Sequence, residues 1–462
     1  MGYEGRDAQT LSAPALKLTP SQAVALTQLR EFASGKSGLT MMTLAGFAGT
    51  GKTTLVAELL HGLDVRRIAV AAPTNKAVGV LRAKVGELSN VEYGSIHSFL
   101  GLKLKERDDG SHECVASGSP SIAAYNLVIV DECSMVSAEL FAMLAVNIMH
   151  TPTRVLFVGD PAQLPPVGDT AESPTFSRVA SKVTLSEIVR QAAENPIIAT
   201  SLAIRKAIEA GARMDAAKIA AVCPPPPADV LFTTGGPTLA YNWALADIRN
   251  DQDTRILAFT NQAVLRYNRD IHAALYGFHP EPFIAGEVVV FNEAHTGRST
   301  PERDTDASIK VDLFNSEECV VVALVSDTHP SYPTLPAWRV DVKRESGQAV
   351  HCYIPKNVDA MQARVSALFA DAAKLMVELK QRPNAETETK RKDMIREAWA
   401  LKNCFANLRH TYAMTIHKSQ GSTIDTAIVD LTDVQKMRSD FDYNRALYVA
   451  CTRAAKHLAF VV

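Results

Sequence analysis

Four apolar runs, TMMTLAG, RRIAVAAP, YNLVIVDE and TRVLFVGD, are separated by polar or helix-like stretches between residues 41 and 178. Continuous apolar runs joined by helices predict buried parallel strands of an α/β core, with ligands at the strands' carboxyl ends. Between SIHSFLGL and YNLVIVDE the pattern breaks into KLKERDDGSHECVASGSPS. That stretch is too polar for a core and rich in turn residues, so it predicts a small hairpin or loop projecting from the surface. CPPPPADV (223–230) cannot continue a helix and reads as a linker. The α/β rhythm resumes at RILAFTN and returns at TAIVDL and HLAFVV. Between them GEVVVFN, EECVVVALVSD, AWRVDVKR and QAVHCYIP are closely spaced strand candidates without helices, which predicts a small β-barrel inserted in the second α/β unit. Met361, Val365, Leu368, Phe369, Ala372, Leu375, Met376 and Leu379 then form a stripe at helical spacing, broken by Pro383 and followed by a helix through Met394 and Trp399. This predicts a helical hairpin.

At 462 residues the chain exceeds one ordinary core, so several domains are expected. A hydrophobic share of 47% with 21% charged residues fits a soluble globular protein. No apolar run approaches the roughly 20 residues that cross a bilayer, and MGYEGRDAQTLSAP lacks the parts of a secretion signal. The expectation is a cytoplasmic location without a membrane role. Seven scattered cysteines, none in C-x-x-C, argue against a disulfide framework or a zinc site. With 48 basic and 50 acidic residues the net charge is -2, so any polyanion must be held by a local groove.

GFAGTGKT (46–53) satisfies G-x-x-x-x-G-K-[ST] between the apolar stretch of Met41, Met42 and Leu44 and the helix-like LVAELL. Glycines at 46, 49 and 51 let backbone N–H groups turn toward a polyphosphate. Lys52 can neutralise the outer phosphates and Thr53 can ligate Mg²⁺. The chain is therefore expected to bind a nucleoside triphosphate. VIVDE ends an apolar strand in Asp131 and Glu132. The aspartate can hold the Mg²⁺ hydration shell and the glutamate can orient and deprotonate an attacking water, a pairing that favours hydrolysis over transfer. In VLFVGDPAQLPPVG (155–168), Gln163 stands four residues past another strand end, where its amide could sense a γ-phosphate.

These strings and others resemble, in order, the motif set of superfamily 1 helicases: LTPSQ (18–22), GFAGTGKT, APTNKAV (72–78), SIHSFLG (95–101), VDECSM (130–135), GDPAQLPPV, RQ (190–191), AFTN (258–261), TIHKSQGST (415–423) and YVACTRA (448–454). The similarity is to the 5′-to-3′ branch that contains bacteriophage Dda and the RecD-like enzymes. The resemblance implies that Gln22 reads adenine, and its amide offers the donor and acceptor this needs. It implies that Gly49, Thr50, Gly51, Lys52, Thr53, Thr54 and Gly421 contact ATP, and that Thr53 and Asp131 hold Mg²⁺. Arg190 and Arg453 match two arginines that reach the γ-phosphate, where an arginine finger is worth about 10³ to 10⁵ in rate. Pro73, Thr74, Asn75, His97, Phe99, Thr260, Asn261, Thr415 and His417 match single-strand contacts, with Phe99 the stacking candidate. KSQG (418–421) links the two sites. Val189 departs from the pattern, standing where many relatives carry an aromatic that stacks on adenine.

The expected fold is α/β: two RecA-like parallel-sheet domains, with a small pin insertion in the first and an SH3-like β-barrel plus helical hairpin in the second. The first domain covers 1–178 with the pin at 103–120. The second covers 179–283 and 404–462, interrupted by the barrel and hairpin at 284–403. The resemblance implies a monomeric ATP-dependent 5′-to-3′ DNA helicase of phage or bacterial origin. Its partners would be single-stranded DNA, single/double-strand junctions, and a single-strand-binding protein or replication and recombination proteins. The rivals are a translocase that strips proteins without efficient unwinding, an RNA helicase, and a scaffold with a dead ATPase fold. The last is disfavoured by the presence of Lys52, Asp131, Glu132, Gln163, Arg190 and Arg453.

Overall fold

A computed structural model describes residues 18–73, 75–106, 112–116, 118–166, 169, 171–187, 195–225, 229–300 and 308–462. The chain forms two compact units. One comprises Met1–Ala71, Leu81–Pro161 and Gly168–Asn195; the other comprises Ala72–Val80, Ala162–Val167 and Pro196–Val462.

In the first unit, β1 (Met41–Gly46), β2 (Ile68–Ala72), β3 (Val91–Ser95), β6 (Leu127–Val130), β7 (Arg154–Gly159) and β8 (Lys182–Leu185) form a sheet of order β3-β2-β6-β7-β1-β8. β2, β6, β7, β1 and β8 pair in parallel. Because strand side chains alternate between faces, a strand covered on both sides must be apolar at every position. Leu44, Val70, Ile129, Leu156 and Val158 pack on one face with Leu29 and Phe32 of the helix Pro20–Ala33 and Leu55 and Leu59 of the helix Lys52–His61. Their neighbours Ala45, Ala71, Val128, Val130, Val155 and Phe157 pack on the other with Phe141 and Leu144 of the helix Ala138–Ile148. β8 carries this sheet past residue 178, where the sequence reading closed it. Its alternating burial marks a short strand at the end of the sheet order, which lacks a continuous apolar run.

The polar interruption is a two-stranded antiparallel hairpin, β4 (Leu102–Glu106) with β5 (His112–Ala116), in register from Leu102↔Ala116 to Glu106↔His112. Residues 107–111 and 117 lie outside the described set. Its base is pinched: Gly101 has φ +64°, and a Cβ there would meet the Gly118 carbonyl oxygen at 2.6 Å. Only glycine fits such an approach.

In the second unit, β9 (Val230–Thr233), β10 (Thr254–Ala258), β18 (Ala413–Thr415), β19 (Ile424–Asp430) and β20 (Ala454–Val461) form an all-parallel sheet of order β18-β10-β19-β20-β9. Inserted in it is a seven-stranded antiparallel barrel sheet of order β13-β12-β16-β15-β14-β11-β17. Its strands are β11 (Val288–Phe291), β12 (His295–Ser299), β13 (Lys310–Leu313), β14 (Glu318–His329), β15 (Tyr332–Arg344), β16 (Ala349–Pro355) and β17 (Leu408–His410). β17 pairs with β11 beyond the expected boundary at 403, because three residues carry no legible alternation. The helices Val358–Gln381 and Ala385–Cys404 form the expected hairpin, and Trp399 packs edge-on against Phe369 at 5.5 Å. Arg255 of β10 makes a two-pronged ion pair with Glu318 of β14, at 3.2 and 2.9 Å, which ties core to barrel. Among the described residues no helix is long and apolar enough to cross a membrane.

Candidate functional site

β1 lies between β7 and β8, and its carboxyl end runs into the glycine-rich loop and then the helix Lys52–His61. Gly49 and Gly51 have φ +79° and +80°, a left-handed geometry that turns successive N–H groups to one side. A Cβ at Gly46 would meet Thr50 Oγ1 at 2.7 Å, so the bend also requires a bare backbone. Lys52 Nζ donates to the carbonyls of Gly46 (2.7 Å) and Phe47 (3.1 Å), which keeps the ammonium at the loop mouth. Buried Thr50 donates its hydroxyl to the Phe47 carbonyl at 2.8 Å. Thr53 and Thr54 are half-buried in the first turn, where free N–H groups and the helix dipole favour phosphate.

Gln22 is joined to this loop. LTPSQ builds a capping box in which Gln22 Oε1 accepts the Thr19 N–H at 2.9 Å and Thr19 Oγ1 accepts the Gln22 N–H at 3.3 Å. Gln22 Nε2 donates to the Thr50 carbonyl at 3.0 Å. One N–H and one lone pair of the amide remain, the pair an adenine edge requires.

Asp131 extends the β6 ladder by donating its N–H to the Ala71 carbonyl at 2.8 Å. Burial raises its carboxyl above the usual range, the charge of Glu132 raises it further, and Lys52 and Lys84 pull it back. Lys52, Asp131 and Glu132 therefore share one field. Glu132 has φ 49° and ψ 42°, the left-handed region, at the start of the short 3-10 turn Cys133–Met135. That geometry costs a non-glycine residue about 1–2 kcal/mol. Cys133 is buried and its thiol is pushed up by desolvation; its Sγ lies 2.6 Å from where a Cβ on Gly159 would be. The Thr53 hydroxyl and the Asp131 carboxylate are the hard oxygen donors that fit Mg²⁺. Gln163 is 7% exposed, and its buried Oε1 has no hydrogen-bond partner among the described residues.

The expected strand contacts divide. Thr74, Val189 and Arg190 lie outside the described residues, as does the side chain of Asn75. Pro73 follows β2 and His97 follows the neighbouring β3; both are half-buried, and desolvation lowers the His97 pKa and favours the neutral ring. Phe99 requires a correction. It is 3% exposed, sits in the core with Ile96, Leu100 and Ile122, and packs edge-on to Tyr125 at 5.3 Å. Stacking on a base needs an open ring face, which this packing removes.

In the second unit β10 and β18 are adjacent in register Ala258↔Thr415, so AFTN and TIHKSQG leave the sheet side by side at its carboxyl edge. Thr260 caps the helix Asn261–Tyr276, accepting the Ala263 N–H at 3.2 Å, and Asn261 is exposed. Thr415 is buried, with Oγ1 accepting the Lys418 N–H at 3.3 Å; His417 is half-buried and its pKa is lowered by desolvation. Gln420 Nε2 donates to the Leu164 carbonyl at 3.2 Å, and Gly421, with φ +73°, faces Ala77. Arg453 ends the helix Asp440–Arg453, donating Nη1 to the Ser422 carbonyl at 3.2 Å and Nη2 to Thr452 Oγ1 at 3.0 Å.

The sequence reading missed Asp433. This residue is 2% exposed and accepts the N–H groups of Phe259 (2.9 Å) and Thr260 (2.7 Å), the Thr260 hydroxyl (2.9 Å) and Lys436 Nζ (2.6 Å). It fixes the AFTN loop from 173 residues away, and no local spacing signals that.

A family profile described as an AAA domain matches residues 17–220, and one described as a UvrD-like helicase C-terminal domain matches 410–461. The chain is 23% identical over 500 residues to an uncharacterized protein of Acanthamoeba polyphaga mimivirus, covering 91% of this chain and 94% of that one. It is 32% identical over 184 residues to the ATP-dependent RecD2 DNA helicase of Deinococcus radiodurans, covering 39% of this chain and 23% of that protein's length. The structure resembles the crystal structure of Pif1 helicase from Bacteroides in complex with ADP-AlF3 and single-stranded DNA, with TM-score 0.51, 16% identity, and 96% and 92% of the chains covered.

Proposed function

From the membership of this chain in the superfamily 1B helicases, we infer that it is an ATP-dependent DNA helicase that moves 5′ to 3′ along a single strand. The observation that carries this reading is the shared field of Lys52, Asp131 and Glu132 beyond parallel strands that also deliver a glycine cradle. Such an arrangement suits phosphate binding, water orientation and hydrolysis.

The assigned roles follow from the chemistry. Gln22 reads adenine with its remaining N–H and lone pair. Gly49, Thr50, Gly51, Lys52, Thr53, Thr54 and Gly421 hold ATP. Thr53 and Asp131 take Mg²⁺, which supplies charge neutralisation at the phosphates. Glu132 is the base, Gln163 senses the γ-phosphate, and Arg190 and Arg453 neutralise it. Pro73, Thr74, Asn75, His97, Thr260, Asn261, Thr415 and His417 contact the strand without reading sequence. The RecA-like domains span 1–185 and the remainder outside the barrel and helical hairpin. The protein works as a cytoplasmic monomer of phage or bacterial origin on single strands and junctions, beside single-strand-binding, replication or recombination proteins.

A strand-displacement assay on duplexes with either a 5′ or a 3′ single-stranded tail tests the polarity. Displacement dependent on the 3′ tail would overturn it. Replacing 103–120 by a short Gly/Ser turn separates unwinding from walking, because β4 and β5 pair with each other as a two-stranded sheet of their own, apart from the parallel sheet. The variant should keep strand-stimulated ATPase and lose displacement; full displacement would show the hairpin is not the pin.

A further inference from the structure

The chain passes from the parallel sheet of the second unit into the barrel after the helix Asn261–Tyr276, and returns through β17. At this double crossing three side chains from distant segments converge. Glu287, just ahead of β11, is 3% exposed, and its Oε2 accepts the Ile284 N–H at 2.6 Å. Its Oε1 lies 2.8 Å from His272 Nδ1 and 3.4 Å from His410 Nδ1, and the Tyr412 hydroxyl donates to the same oxygen. The three candidate donor atoms all lie within 4.8 Å of one another.

Two features favour a cation at their centre. Four-coordinate zinc with bonds of about 2.0–2.1 Å sets neighbouring ligand atoms about 3.3 Å apart, and the separations of 2.8 and 3.4 Å bracket that value. A neutral imidazole carries one N–H and one lone pair; His272 Nδ1 is hydrogen-bonded to Glu287 Oε1 at 2.8 Å, whereas the buried His410 Nδ1, 3.4 Å from the same oxygen, makes no hydrogen bond of good geometry among the described residues. A lone pair aimed at an anion is repelled unless a proton or a metal stands between them. The imidazole rings lie 4.5 Å apart with Phe283, Tyr276 and Tyr412 packed against them, and a water would complete a four-coordinate shell around the three protein donors.

We propose that His272, Glu287 and His410 form a structural site for a divalent transition metal, Zn²⁺ in the first instance, that fastens the barrel to the second parallel sheet. Two imidazoles and one carboxylate suit Zn²⁺ better than Mg²⁺, so the site is chemically separate from the one for the nucleotide's metal. Tyr412 and the Ile284 N–H would orient the ligating carboxylate.

The test uses the untagged full chain, stripped with chelator and titrated with Zn²⁺ and Co²⁺, with metal content by mass spectrometry and Co²⁺ absorption in the visible. One equivalent of either metal should bind, and Zn²⁺ should raise the melting temperature. His272→Ala and His410→Ala should each weaken binding at least tenfold, and His279→Ala, at an exposed ion pair with Glu281, should not. His410→Asn replaces His410→Ala if circular dichroism shows the latter unfolded. A wild-type chain that takes up neither metal would overturn the proposal and leave a proton-bridged cluster. Binding that survives both histidine substitutions would overturn it equally.

Discussion

Glu132 offers a test in which strain and chemistry pull apart. Its φ of 49° and ψ of 42° place a side chain where only glycine is comfortable, at a cost of about 1–2 kcal/mol. Glycine at this position relieves that cost but adds about 0.4–1 kcal/mol of chain entropy to the unfolded state. Glu132→Gly should therefore be more stable than Glu132→Ala, which keeps the Cβ, by up to about 1.5 kcal/mol. Glu132→Gln keeps shape and strain and removes the base. It should bind Mg-ATP with near-normal affinity and lose about 10²- to 10⁴-fold in kcat. Denaturant titration of the three variants and single-strand-stimulated ATPase read the two effects separately. A Glu132→Gly protein less stable than Glu132→Ala would refute the strain argument. A Glu132→Gln enzyme hydrolysing at the wild-type rate would refute the role of base.

Lys52→Ala should lower ATP turnover at least about 10²-fold and leave single-strand binding near normal, as measured by ATPase and fluorescence anisotropy. Phe99→Ala should destabilise the first unit by about 3–5 kcal/mol, a core-truncation cost, in chemical denaturation; a stable variant with weakened DNA binding would restore the stacking role. Asp433→Asn should cost about 1.5–3 kcal/mol through lost charge-assisted bonds and weaken strand binding by loosening the AFTN loop, read by denaturation and anisotropy. Burial alone would raise the Asp433 carboxyl, but Lys436 and the Thr260 N–H and hydroxyl hold its pKa below the ordinary value. Its contribution is thus complete above about pH 4 and is lost as pH falls through the folded value, a slope that Asp433→Asn should lack.

The chemistry that lies contiguous in the chain was legible in it. GFAGTGKT, VIVDE and the apolar runs announce themselves because a phosphate cradle and a doubly covered strand each need consecutive residues. β3, β8, β12, β13 and β17 were not legible, since strands of three to five residues with partly exposed faces leave no continuous apolar run. Phe99 misled for a related reason: its motif places it beside polar strand contacts, and only the packing of Tyr125 and Ile122 around it shows which way the ring turns. Asp433 and the His272, Glu287 and His410 cluster are products of tertiary folding, assembled across 173 and up to 138 residues (410 minus 272). A search for zinc through cysteine spacing could not have met the second.

The capping box gives Gln22, the proposed adenine reader, a second consequence. Gln22 is bonded at once to Thr19, which starts the helix Pro20–Ala33, and to the carbonyl of Thr50, which lies within the phosphate loop. Thr50 in turn is pinned by its hydroxyl to Phe47, whose carbonyl also receives Lys52 Nζ. A chain of hydrogen bonds therefore runs from the Gln22 amide to the Lys52 ammonium. Buried polar chains of this kind hold geometry only while each member stays paired. Truncating Gln22 would orphan the Thr50 carbonyl as well as remove a base contact, so its effect should extend to phosphate binding. Ser21, one residue away, bonds to Glu187 and to the Thr19 hydroxyl but not to the phosphate loop, so its loss should leave the Gln22–Thr50 bond in place.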